Sequence, residues 1–248
     1  MSIETYGTGE RIRCAARLSS GLGLPHLVIL PVPTTRDKKY VANTDIPLAD
    51  TLVNVGAESV VVGYGLPDFY KARLEKLGAA FLDLSLDEQF LEENAYITAI
   101  GALGYILTST KGSPDAFKIG VVGYGRIGSR LVRMLLFLGA RIRVYTSKVL
   151  TRLDLGECGI DSVCVSEWDG GVYDFSGLDI LINTAPKDMS ASFSGKNYGN
   201  MRVIELASGN NFEGIAGVEK LPSLPDRMYP ESAGAAYVSA LKRFLGKN

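Results

Sequence analysis

Lys118-Ile-Gly-Val-Val-Gly123-Tyr-Gly125-Arg-Ile-Gly128 decides how this chain is read. Ile119, Val121 and Val122 mark a short buried strand, and the residues that follow open a helix with Ile127, Leu131, Leu135 and Leu138 on one face. A bare G-x-G-x-x-G says little, because turns use glycine everywhere. A strand before it and an amphipathic helix after it make it specific. Gly123 suits a tight turn, Gly125 leaves room for a ligand to reach the backbone, and Gly128 lets the helix pack close to the strand. The unpaired N–H groups at the positive end of that helix favour an anion. Gly123, Tyr124, Gly125, Arg126, Ile127 and Gly128 are therefore read as the pyrophosphate turn of a Rossmann domain beginning near Phe117.

The next strand, Arg141 to Tyr145, bears on which dinucleotide is bound. An NAD site usually places Asp or Glu at the end of the second strand to hold the ribose hydroxyls. Here that position reads Val144-Tyr-Thr-Ser-Lys148, with no acid. Thr146, Ser147 and Lys148 suit a 2′-phosphate, so NADP is expected over NAD. Further strands are predicted at Ser162 to Val165, Ile180 to Ile182 and Val203 to Leu206, with a last helix from Glu231 to about Leu245. Loops at the carboxyl ends of parallel strands bind ligands in open α/β sheets. Thr184, Ala185 and Pro186, together with Ala207, are accordingly assigned to the nicotinamide side of the site.

Upstream, Ser109-Thr-Lys-Gly-Ser-Pro-Asp115 is a polar break. It divides the chain into an N-terminal α/β lobe, residues 1–108, and the Rossmann domain with its C-terminal helix, residues 109–248. In the first lobe, His26 to Leu30, Ser59 to Val62 and Ala79 to Leu84 read as parallel strands. Pro47 to Asn54 and Pro67 to Leu77 read as helices, the second closed by Gly78. A long helix from about Asp87 to Leu107, rich in small residues, is expected to link the lobes. Residues 1–25 give no clear pattern, so this lobe is read as smaller and truncated.

Composition narrows the function. With 46% hydrophobic and 21% charged residues and a formal net charge of −1, the chain is an ordinary globular α/β protein that offers no excess of positive charge to nucleic acid or an anionic membrane. Three scattered cysteines suggest reduced thiols, with neither a disulfide framework nor a metal site. No leader or membrane-length apolar run is read, so a cytoplasmic setting is expected. The single histidine, His26, opens an N-terminal strand, far from the loops where a hydroxy-acid dehydrogenase carries its base. A structural role is expected for it, and no catalytic residue is named.

Asn94-Ala-Tyr-Ile-Thr98, the glycine turn, Ile182-Asn-Thr-Ala-Pro186, Glu205-Leu-Ala-Ser208 and Pro230-Glu-Ser-Ala-Gly234 occur in one order along the chain. From about Val28 to the C-terminus, the series resembles the dipicolinate synthase family, in its NADP-binding Rossmann subunit. The resemblance implies an oxidoreductase of sporulating cells. It would oxidise a cyclic precursor, formed from aspartate semialdehyde and pyruvate, to pyridine-2,6-dicarboxylate with reduction of NADP. It also implies a flavoprotein-like second subunit, and a homo-oligomer is expected. Ring aromatisation asks little of a general base, which suits a site without histidine. This chain departs from the family in carrying Ile100 where relatives often have Glu and Glu231 where they commonly have Lys. For a small dicarboxylate, Thr34, Thr35 and Arg36 after the first strand, Asn94 and Thr98 on one helix face, and Ser232 are the candidate ligands. The alternatives are an NAD(P)-dependent oxidoreductase of another small carboxylate and a non-catalytic dinucleotide-binding subunit.

Overall fold

The computed structural model describes residues 2–164 and 172–246. Its elements in chain order are β1 (Ser2–Thr5), α1 (Glu10–Ser19), β2 (His26–Ile29), β3 (Ser59–Gly63), α2 (Asp68–Lys76), β4 (Ala80–Asp83) and α3 (Glu88–Ser109). There follow β5 (Lys118–Val122), α4 (Arg126–Phe137), β6 (Arg141–Thr146), α5 (Val149–Glu157), β7 (Asp161–Cys164) and β8 (Ile180–Asn183). The chain closes with α6 (Ser190–Phe193), β9 (Arg202–Glu205), β10 (Val218–Lys220), α7 (Leu224–Met228) and α8 (Pro230–Phe244).

Two compact units result, one of Met1–Ile97 with Pro225–Asn248, the other of Thr98–Leu224. The first unit holds a parallel sheet in the order β1-β2-β3-β4. Along β2, Leu27 and Ile29 enter one core, with Ala233, Tyr237 and Leu241 of α8, while Val28 and Leu30 enter another, with Leu48, Leu52 and Leu74. Burial on both faces is why these strands read as unbroken apolar runs. The second unit is a six-stranded parallel sheet, β10-β9-β8-β5-β6-β7. Counted in chain order within that unit, the strand order from the β7 edge is 3-2-1-4-5-6: the chain runs outward from β5 to β7, then returns to β8 on the other side of β5. The order therefore reverses between β5 and β8, where such sheets bind ligands.

The structure corrects four expectations. The predicted helix over Pro47 to Asn54 is only a 3₁₀ turn, Leu48–Leu52. Residues 2–25 form a strand and helix, with β1 completing the first sheet, so the truncation expected there is not seen. The division at residue 108 also shifts, because α8 belongs to the first unit. A Cβ on Gly234 would lie 2.7 Å from Cys14 Cβ and 2.9 Å from the Ala15 nitrogen, so α8 crosses α1 at a distance only glycine permits. The first unit thereby reaches nearly the size of the second. Finally, the strand expected from Ser162 to Val165 spans Asp161–Cys164, and Val165 lies outside the described residues. Among the described residues no helix is long and apolar enough to cross a membrane.

Candidate dinucleotide site

In the second unit β5 lies between β6 and β8, with Val122 facing Tyr145 and Asn183 in register. The turn after it holds three glycines for three different reasons. Gly123 takes a positive φ of 90°, and a Cβ there would come 2.8 Å from Thr184 Oγ1. A Cβ on Gly128 would lie 2.3 Å from the Gly123 carbonyl oxygen, so α4 sits against the turn at a distance that excludes alanine. Gly125 is unlike both. Its φ is −83° and a Cβ there would meet no heavy atom within 4 Å. Neither strain nor packing of the protein itself requires glycine at 125, the residue that stands at the N-terminus of α4. That helix has no side-chain cap and no acid in its first turn, so its N–H groups and positive end suit an anion.

The turn forms one wall of a cleft of about 360 Å³. Of the residues assigned to the cofactor from sequence, Gly123, Tyr124, Gly125, Thr146, Ser147, Lys148, Thr184, Ala185 and Pro186 line it. Arg126, Ile127, Gly128 and Ala207 do not. Gly128 acts through packing, and the Ala207 N–H donates to Glu205 Oε1 at 2.8 Å. Thr184 lines the cleft, but its hydroxyl donates to the Val122 carbonyl at 2.9 Å, bracing the glycine turn. Lining residues not assigned from sequence are Val122, Tyr145, Thr151, Tyr173 and Lys187, whose Nζ lies 4.7 Å above the Tyr173 ring. Tyr173 comes from a stretch with no periodic pattern, and Lys187 stood one residue past the segment judged functional.

Behind the cleft lies a buried acid. Glu205, 4% exposed at the end of β9, accepts from Asn183 Nδ2 (3.1 Å), Asn211 Nδ2 (3.2 Å) and Ala207 N–H (2.8 Å). Burial raises its pKa, while these donors and Lys220 oppose the shift. The network ties the loops after β8 and β9 together. Among the described residues, no acid lines the cleft at the end of β6. Thr146 is buried and its Oγ1 accepts the Lys148 N–H at 3.1 Å, while Ser147 and Lys148 are exposed. The glycine turn, helix terminus, hydroxyls and two lysines form a donor set suited to the phosphates of a nicotinamide dinucleotide.

The candidate substrate ligands fare differently. Thr34 is fully buried; its hydroxyl donates to the Pro31 carbonyl (3.2 Å) and accepts the Tyr64 N–H (2.7 Å), so it holds a loop and has no proton left for a ligand. Thr35 Oγ1 is engaged with Asp37 (3.2 Å) and the Lys38 N–H (3.0 Å) in a local turn. Arg36 is exposed beside that turn, and Ser232 is exposed on α8. Asn94 Oδ1 accepts a hydrogen bond from Arg11 Nη2 at 2.9 Å, and Thr98 is buried in α3, on the second unit's side of the division. His26 Nδ1 lies 2.8 Å from Ser59 Oγ, and Nε2 lies 3.4 Å from Glu4 Oε1. Glu231 pairs with Arg17 at 2.6 Å, which holds its carboxyl below the usual range.

No protein-family model matches the chain, and no curated protein matches it either. Solved structures do. One chain of dipicolinate synthase from Bacillus subtilis matches with a TM-score of 0.75 at 19% identity, over 99% of this chain and 96% of that one. The corresponding dipicolinate synthase chain from Bacillus halodurans gives 0.77 at 18%, over 99% and 98%. D-Lactate dehydrogenase from Salmonella gives 0.61 at 14%, over 100% and 98%. At these identities the likeness is one of fold, shared with these two dipicolinate synthase chains and with a dehydrogenase.

Proposed function

We propose that this chain is the NADP-dependent dehydrogenase component of dipicolinate synthesis, oxidising a dihydrodipicolinate-type ring to pyridine-2,6-dicarboxylate. The open side of Gly125, at the uncapped end of α4 in the cleft beside β5, carries the dinucleotide part of this reading. When bound, the nicotinamide would take a hydride from the ring, and a proton would pass to solvent. The chain's own residues bind and orient. The first-turn N–H groups of α4 would meet the pyrophosphate. Ser147 and Lys148 would take the 2′-phosphate, which an acid at that position would repel. Glu205, through Asn183 and Asn211, keeps the loops after β8 and β9 in register with the glycine turn. The driving force of aromatisation replaces a strong general base, consistent with the enclosed position of His26 between Ser59 and Glu4. The dicarboxylate substrate and the flavoprotein-like second subunit rest on the family resemblance of the ordered motifs.

The test is turnover of the condensation product of aspartate semialdehyde and pyruvate by the purified chain, with and without the second subunit. Stoichiometric NADPH and pyridine-2,6-dicarboxylate are expected, the latter identified by its ultraviolet spectrum. NADP binding without any turnover in either mixture would replace this reading with that of a non-catalytic dinucleotide-binding subunit.

A further inference from the structure

Two arginines of the second unit are neutralised on carboxylates: Arg143 pairs with Asp161 at 2.7 Å and Arg202 with Glu219 at 2.8 Å. Lys187, on the wall of the dinucleotide cleft, is held differently. Its Nζ lies 4.7 Å from the centre of the Tyr173 ring, and no carboxylate pairs with it among the described residues. A ring face attracts an ammonium through its quadrupole and, unlike a carboxylate, leaves the charge uncancelled. The turn that carries the lysine is fixed. The Lys187 N–H donates to the Ala185 carbonyl at 2.8 Å, and Asn183 Nδ2, already bonded to Glu205, donates to the same carbonyl at 2.9 Å. The ring is fixed as well. Tyr173 is buried and packs edge-on against Tyr145 of β6, with 5.6 Å between ring centres. A lysine from the loop after β8 is thereby drawn back toward the β6 side of the cleft, where Thr146, Ser147 and Lys148 stand.

We propose that Lys187 is a specificity-determining residue: with Lys148 it selects a dinucleotide whose ribose carries a 2′-phosphate. Both lysines line one cleft, and among the described residues neither is paired with a carboxylate and no acid joins them in the lining. The pyrophosphate has its own donors in the N–H groups at the start of α4. Two further positive charges match the second anion, a phosphate monoester of roughly −1.5 to −2 near neutral pH. Lys148 is exposed, so its attraction to that phosphate is screened. Lys187 is half-buried and seated on a ring, so its charge is both placed in advance and less screened. The inference rests on the NADP reading above and adds to it the residue that carries most of the preference.

The experiment titrates the full chain calorimetrically with NADP, NAD and adenosine 2′,5′-bisphosphate, which has the ribose phosphate without the pyrophosphate. Lys187→Met keeps the apolar stem over Tyr173 and removes the charge, while Lys187→Arg keeps a cation that stacks on the ring. In Lys187→Met the Kd for NADP and for the bisphosphate should rise about tenfold, with that for NAD within about twofold. Lys187→Arg should hold NADP within about threefold of the unmodified chain. Thermal melts check that both variants are folded. Equal losses of NADP and NAD would assign Lys187 to the pyrophosphate, overturning the inference while leaving the dinucleotide site in place. Unchanged NADP affinity in folded Lys187→Met would overturn it too. Tighter binding of NAD than of NADP to the unmodified chain would sink the cofactor reading itself, and the inference with it.

Discussion

Adding one methyl group at either of two neighbouring glycines should have opposite consequences. At Gly128 the new Cβ would lie 2.3 Å from the Gly123 carbonyl oxygen and 2.8 Å from Thr184 Oγ1. Real Cβ atoms essentially never come closer than about 3 Å, so α4 or the turn must move by at least roughly 0.7 Å, and overpacking of that size costs about 2–3 kcal/mol. For a unit of this size that lowers the melting temperature by roughly 4–12 °C. At Gly125 the same methyl would meet nothing within 4 Å, and φ of −83° with ψ of −162° suits alanine. The lost N-cap preference and the smaller entropy of the unfolded chain nearly cancel, leaving stability within about 0.5 kcal/mol. The added methyl instead occupies the space in which a pyrophosphate oxygen reaches the helix N–H groups. One or two hydrogen bonds to a charged group are lost, about 1.5–3 kcal/mol each, so the Kd for NADP should rise from roughly tenfold to well beyond a hundredfold. Calorimetry and thermal melts on Gly125→Ala and Gly128→Ala read both effects. A folded Gly125→Ala protein that binds NADP within about twofold of the unmodified chain would show that the ligand lies elsewhere. Destabilisation of Gly125→Ala as large as that of Gly128→Ala would refute the geometric argument itself.

Lys148→Ala should narrow the preference for NADP over NAD by about 1 kcal/mol, roughly fivefold, because the lysine is exposed and its pairing with a phosphate is screened; tighter binding of NAD to the unmodified chain would contradict the cofactor assignment. Thr34→Val should lower the melting temperature, with a loss of roughly 1–3 kcal/mol from the orphaned Tyr64 N–H, and a changed KM with unchanged stability would restore Thr34 as a substrate ligand. Glu219 is held below the ordinary 4.5 chiefly by Arg202, with burial opposing and Tyr105 assisting. A folded pKa below the unfolded one means that this stabilisation is present above the unfolded pKa and lost as pH falls through the folded one. Melts from about pH 6 to about pH 3 should therefore show a steeper decline in the unmodified chain than in Glu219→Gln, and parallel curves would count against it.

Much of the second unit was legible because its signals are local. The strand, glycine turn and helix around Gly123 lie within a single stretch, and β6 and β8 are short apolar runs bounded by turn residues. The residues of α8 were readable as a helix, but its partner was not: Ala233, Ala236 and Ala240 show that one face is buried, and nothing local says against what. β1 escaped because Ser-Ile-Glu-Thr is a half-exposed edge strand without alternation strong enough to register. Lys187 escaped because a lysine in a loop looks solvated until the Tyr173 ring against it is seen. Thr34 misled for the opposite reason: a hydroxyl after a strand suggests a ligand contact, whereas this one is spent on the Pro31 carbonyl and the Tyr64 N–H.

The return of the chain to its first unit sets an order of maturation. Residues 98–224 form one continuous segment and contain everything the second unit needs. The first unit has its sheet by residue 83, yet it waits for Ala233, Ala236, Tyr237 and Leu241 of α8 to cover one face of that sheet. During synthesis the unit that emerges second can therefore close before the unit that emerges first, reversing the usual N-to-C order of domain folding. Until α8 leaves the ribosome, Leu27, Ile29 and Val62 remain uncovered on their α8 side, and the nascent chain is most exposed to aggregation in that interval.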